Sequence, residues 1–161
     1  MLGQVVAPLV LEIALNSHRG KEMSEIPTCP DCGKPGEWVS HAEVYNGRVY
    51  NEKSHMIYLC RAHRAFVGCH GNTRKALGTM ANEPMREARK AAHAVIDPFW
   101  KEKKLKRYHV YARLSRAFGH EIHVGESGVE KCREIIEIAK QILPLSKAEF
   151  ERRYPSAIGD A

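Results

Sequence analysis

No stretch of this sequence approaches the ~20 apolar residues that a membrane-spanning helix needs. The best candidate, Val5 to Leu15, contains Pro8 and Glu12 and has no basic flank before it. It is therefore expected to be neither a span nor a secretory leader, which points to a cytoplasmic protein. No internal repeat is evident, and no Gly-rich P-loop spacing occurs. Cysteines are few and odd in number, at five. Without a secretory leader, that number argues for reduced thiols or a metal site over a disulfide framework. What is present fits a globular protein. The chain has 161 residues, 43% of them hydrophobic, enough for one domain with a core of its own.

Acidic residues are scarce in one region only. Residues 1–73 carry seven basic and seven acidic groups, and residues 117–161 carry six and eight. Residues 74–116 carry twelve basic groups against four acidic ones, so this block holds more than the whole net charge of +6. A segregated basic block is the electrostatic footprint of a protein with a polyanionic partner, although a solvated helix face gives the same pattern.

Local signals divide the chain into an N-terminal arm and linker (1–27), a β unit (28–73) and a helical region packed on it (74–161). The expected class is α+β, with a small zinc ribbon followed by about four helices. Residues 37–45 and 48–50 are strand-like around Asn46-Gly47, the strongest short hairpin signal. Further strands are expected at 55–59 and 65–70. Asn82-Glu83-Pro84 reads as a helix start, with Asn as the cap and Pro in the first turn. Met85, Ala88, Ala92 and Val95 keep helical spacing up to Asp97-Pro98, where Asp97 is expected to cap the next helix. A third helix is expected to end near Gly119. Ser127/Glu130 and Ser146/Glu149 each match the capping-box pattern for two more.

The strongest chemical signal is Cys29-x-x-Cys32 with Cys60-x-x-His63, 27 residues apart. Two close pairs of soft or borderline ligands suit one tetrahedral Zn²⁺. Such a site has four protein ligands and no open position, so it provides shape and not catalysis. His70, Cys69, His55 and His41 are alternatives for the last ligand. Cys132 falls on the apolar stripe of a helix and reads as a core residue.

These residues, with Phe66-Val67-Gly68-Cys69-His70, Leu77-Gly78-Thr79-Met80-Ala81-Asn82, Ala92-His93 through Asp97-Pro98-Phe99-Trp100, and Ile122-His123-Val124-Gly125, together form a familiar order. The sequence resembles, over about residues 28–140, a family of uncharacterised zinc-finger-containing proteins of phages and bacteria. The resemblance implies a zinc-binding module in a mobile-element context and supplies no activity. The family's second pair is Cys-x-x-Cys, and His63 departs from it.

Three functions remain open. In the first, a nucleic-acid-binding accessory protein contacts phosphates through Arg74, Lys75, Arg86, Arg89, Lys90, Lys101, Lys103, Lys104, Lys106 and Arg107. Tyr108, Tyr111 and Trp100 lie in or beside this block and could stack on bases, although core packing is favoured for Trp100. In the second, a protein-binding module or inhibitor docks on an enzyme or defence complex, with residues 5–15 as a partner-packing arm. In the third and least favoured, a metal-dependent nuclease uses His70, His93, Asp97 and His123. No carboxylate cluster for Mg²⁺ accompanies those four, so no catalytic residue is assigned.

Overall fold

A computed structural model of the chain describes residues 26–49, 55–71, 73–102 and 105–155. The arm at 5–15, Lys103 and Lys104 lie outside the described residues. Three antiparallel strands, β1 (Glu37–Ser40), β2 (Met56–Cys60) and β3 (Ala65–Gly68), form a sheet in that order. Helices α1 (Glu83–Ile96), α3 (Arg107–Phe118), α4 (Val129–Ile142) and α5 (Lys147–Arg153) follow, with a single turn, α2 (Pro98–Lys101), after α1. This is the expected α+β arrangement. Among the described residues no helix is long and apolar enough to cross a membrane.

The β unit departs from the hairpin expected around Asn46-Gly47. Both residues have positive φ, at 52° and 81°, as their turn chemistry predicts. Yet among the described residues no strand pairs across that turn. Ser40 ends β1 by accepting a hydrogen bond from Ala42 N, and His41–Glu43 wind into a 3₁₀ turn. The partner of β1 is β2, from Glu37 opposite Leu59 to Ser40 opposite Met56. Asn46-Gly47 therefore turns a connection between the two strands.

After β3 the chain doubles back along its edge. Leu77 N donates to Gly68 O, and Phe66 and Ala81 exchange backbone hydrogen bonds. Met80 is thereby carried under the sheet, where it is buried beside Tyr58 and tight against Gly36. The chain then enters α1 as expected, with the Asn82 side chain accepting from Met85 N.

The helical half buries a larger core. Ile96 of α1, Leu114 of α3, Ile135 and Ile142 of α4 and Phe150 of α5 are all buried in it. Cys132 is fully buried there, in the core position expected of it. Gly119, at φ 73°, ends α3 in the left-handed conformation that glycine adopts without strain. Ser146 and Glu149 form a complete capping box at α5. Ser127 and Glu130 do not. Gly128 is the N-cap of α4, and the Ser127 hydroxyl donates to His123 O instead. Asp97 likewise caps no backbone. It continues the helical conformation from α1, and its carboxylate receives side chains.

Candidate metal centre

Cys29 and Cys32 lie on a tight turn before β1; Cys60 ends β2, and His63 lies on the turn between β2 and β3. In the first turn Gly33 N donates to Cys29 O and Cys29 N to Lys34 O. The sheet register brings the second turn against it. The four ligand atoms lie within 4.8 Å of one another. Cys29 Sγ is 3.7 Å from His63 Nδ1, Cys60 Sγ is 3.6 Å from the same nitrogen, and Cys32 Sγ is 3.9 Å from Cys60 Sγ. Four donors about 2.0–2.3 Å from a central Zn²⁺ at tetrahedral angles stand about 3.5–3.8 Å apart, so the cluster is compatible with one structural zinc ion.

The turns are alike in backbone as well as in chemistry. The residue after each second ligand has a positive φ, 70° at Gly33 and 49° at Arg64. The left-handed conformation costs nothing at glycine and is unfavourable at arginine.

The electrostatics call for a cation. Burial opposes the Cys29 thiolate, but backbone N–H groups of Asp31 and Cys32 and the neighbouring cysteine thiols outweigh it and lower its pKa to about 7. Cys60 moves the other way. The backbone N–H of His63 favours its thiolate, but burial and the Cys29 and Cys32 sulfurs together push its pKa up. Sulfurs this close cannot all ionise unless a positive ion lies between them.

His63 is thus the histidine brought to the three cysteines. His70 is exposed beyond β3, with its backbone N–H donating to Lys75 O. Cys69 is buried in the β core outside the cluster, where burial raises its pKa. Among the described residues Cys29, Cys32, Cys60 and His63 are the one grouping of metal-ligand type. His93, Asp97 and His123 do not converge. His93 Nδ1 lies 3.2 Å from Asp97 Oδ1 within the helix, whereas His123 Nε2 lies 3.0 Å from Glu121. Asp97 also receives Lys101 Nζ at 2.7 Å and Trp100 Nε1 at 3.3 Å. Burial works against its carboxylate, but Lys101 and His93 outweigh it and hold the pKa below the usual range.

The first turn of α1 ties the helical half to both metal-bearing turns. Asn82 Nδ2 donates to Asp31 Oδ1, inside the Cys29–Cys32 turn, at 2.9 Å. Arg86 donates to Arg64 O, just beyond His63, at 3.1 Å, and to Ala81 O at 2.8 Å, while its guanidinium covers the Phe66 ring. A second tie lies one turn further along α1. Arg89 donates to Thr79 O, Thr79 Oγ1 and Ser127 O. Beside it the backbones of Gly78 and Gly125 approach so closely that a Cβ on Gly78 would stand 2.5 Å from Gly125 O. These glycines belong to the Leu77–Asn82 and Ile122–Gly125 motifs, and the close approach of the two loops explains why the first of them is a glycine.

Arg86 and Arg89 therefore have partners that the sequence did not reveal, since main-chain carbonyls leave no compositional trace. Of the other basic residues, Lys90 pairs with Glu87 and Lys101 with Asp97. Arg107 lies over the Trp100 and Tyr111 rings, and Arg74 over Trp38. Lys75 and Lys106 are exposed. Trp100 packs against the helical core, whereas Tyr108 is 62% exposed.

No curated protein and no solved structure matches this chain. A family model described as a zinc-finger-containing domain matches residues 25–142. That span takes in all four ligands, the doubled-back segment, both glycines of the close approach and α1 through α4. The chain belongs to this zinc-finger-containing domain family.

Proposed function

We propose that the protein binds nucleic acid through its helical half, which the zinc-stapled β unit holds in position. The observation that supports this best is a groove of about 640 Å³ along α1 and α2. Arg86, Arg89, Lys90 and Lys101 line it, against only two carboxylates, Asp97 and Glu102. The exposed Lys90–Glu87 pair does not remove that charge from a ligand's reach, since such pairs are worth only about 0–1 kcal/mol and a phosphate can displace Glu87. Lys101 is held by the mostly buried Asp97, while its own side chain is exposed and lines the groove. Arg86 and Arg89 act differently. Arg86 Nη1 and the Arg89 guanidinium are engaged by main-chain carbonyls and the Thr79 hydroxyl, so they contribute mainly fixed positive charge to the groove and little flexible reach.

The metal acts at one remove in this reading. It closes the two turns to which Asn82 and Arg86 are bonded, and so sets where α1 presents its cations. The resemblance to proteins of phages and bacteria supports an accessory role in a mobile-element context, in the bacterial cytoplasm.

The reading is tested by fluorescence anisotropy of labelled DNA and RNA oligonucleotides with the zinc-loaded full chain at rising salt. Affinity is expected to fall steeply, because each neutralised phosphate releases counterions. Replacing Lys90, Lys101 and Lys106 together by Gln should reduce the slope of log K against log salt by about 2 to 3. A flat salt dependence, or a slope that the triple variant leaves unchanged, overturns it.

A further inference from the structure

A second cleft of about 610 Å³ adjoins the α1 groove, and the two share His93. It lies between α3 and the loops at 77 and 121–126, and its size is within the roughly 300–1,000 Å³ of small-ligand sites. Its walls differ in chemistry from the groove. Tyr108 and Tyr111 of α3 stand on one side, and Leu77 lies on the doubled-back segment. Leu77 is 54% exposed and Tyr108 is 62% exposed, two of the four large hydrophobic residues left open among those described. Arg107 is at the rim, with its guanidinium 5.5 Å from the Tyr111 ring centroid.

From this arrangement we infer that the cleft takes an unpaired nucleobase while the adjoining sugar-phosphate chain runs along the α1 groove, so that the protein prefers single strands. The inference rests on the nucleic-acid reading above and names the form of nucleic acid bound. Every base has a π-face that an exposed aromatic ring can cover, whereas a base inside a duplex cannot enter a concave site without leaving its stack. Leu77 offers an apolar surface of the same kind.

The charges in the cleft fit that division. Glu121 and Glu126 border it, and Glu121 is paired with His123. Carboxylates there disfavour phosphate inside the cleft and direct it to the cationic side. His93 stands at the junction. Asp97 holds its Nδ1, which leaves Nε2 as the ring nitrogen available to a ligand passing between the two spaces. The walls are also fixed before any ligand arrives. The Gly78–Gly125 contact and the Arg89 bonds to Thr79 and Ser127 hold the Leu77 segment and the 124–127 loop together.

The test compares a labelled mixed-sequence DNA single strand with the same sequence closed into a duplex, using the zinc-loaded full chain. The single strand should bind more tightly. Tyr108→Ala should weaken single-strand binding by roughly 5- to 150-fold, leave duplex binding unchanged, and be rescued by Tyr108→Phe. Because Tyr108 is largely exposed, its truncation is not expected to unfold the chain, and a circular dichroism melt checks this. Equal affinity for both forms overturns the inference, and so does a Tyr108→Ala effect shared by both. If the lysine-to-glutamine triple variant still weakens binding in that case, the basic groove survives without the cleft. Absence of binding to either form at low salt overturns both readings.

Discussion

The two halves of this molecule solve the same problem in different ways. In the helical half, twelve buried residues from α1, α3, α4 with Leu143 just after it, α5 and the 122–124 loop form one core, and Cys132 is the only cysteine among them. In the β unit the buried cluster has seven residues, three of which are Cys29, Cys60 and Cys69. Three strands of four or five residues bury too little apolar surface to offset the entropy of ordering them. The helical half is therefore held by hydrophobic burial, and the β unit by a metal ion that joins its turns. Ligands placed at the turns where the strands already meet let a small β unit draw folding free energy from a metal ion.

Removing the metal should break that comparison most visibly. Cys60→Ser takes away one of three thiolates and leaves its neighbours without the ion that reconciles their charges. Structural zinc sites supply about 10 kcal/mol or more of folding free energy in small finger peptides, so the loss should exceed what the β core can supply. The purified variant is expected to hold less than one zinc per chain and to lose the near-ultraviolet signal of Trp38 and Tyr58. Its far-ultraviolet helical signal should largely remain. A variant that keeps the near-ultraviolet signature without zinc would show that the β unit stands on its own core. Chelation of the wild-type protein should give the same pattern.

That dependence was largely legible in the sequence, because metal ligands must be particular residue types at short spacings. Cys29, Cys32, Cys60 and His63 stand out on that ground alone, and the structure brings them together. Helix signals that are satisfied locally were legible for a similar reason. Asn82 caps α1, Gly119 ends α3, and Ser146 with Glu149 caps α5. What was not legible is which of several available partners a residue takes once the chain is folded. Asn46-Gly47 has the turn conformation it advertises, but the mate of β1 lies beyond it, since Ser40 had already ended the strand. Ser127 matches a capping pattern, yet its hydroxyl finds His123 O first. Arg86 and Arg89 look like phosphate contacts in a charge count. Only the fold reveals the carbonyls that occupy them. The tie between helix and ribbon falls to Asn82 and Arg86, while His93 pairs within its own helix with Asp97.

The seam between the halves offers a way to sharpen the comparison. Gly78→Ala places a methyl group 2.5 Å from Gly125 O, in a spot bordered by backbone that cannot rotate away. The expected cost is about 1–3 kcal/mol, typical of forced overpacking. Because the strain falls on the join and on neither core, zinc content should stay at one per chain. In a Trp100→Phe background, where Trp38 reports the β unit alone, urea unfolding followed separately by tryptophan fluorescence and far-ultraviolet circular dichroism should lose the coincidence of its two transitions. Transitions that remain coincident with an unchanged midpoint would mean that the halves are coupled elsewhere, through Asn82 and Arg86.

The smallest expected effect distinguishes the two metal-bearing turns from one another. Gly33 and Arg64 occupy equivalent places, each directly after a second ligand and each in the left-handed region. Only one of them is a glycine. At Arg64 the Cβ is crowded in that conformation, at a cost of roughly 1–2 kcal/mol, part of which glycine's greater freedom in the unfolded chain would offset. Arg64→Gly is thus expected to stabilise the zinc-loaded protein by about 0.5–1 kcal/mol, a rise in melting temperature of roughly 1–4 °C. The bond from Arg86 should survive, since it is accepted by the backbone oxygen of residue 64 and not by the side chain. Arg64→Ala is the control. It removes the guanidinium but keeps the Cβ, so a gain shared by both variants would trace to charge, and a gain confined to glycine would trace to φ. If neither variant melts higher than the wild type, the second turn is not strained, and its arginine is as well suited to that position as the glycine is to the first.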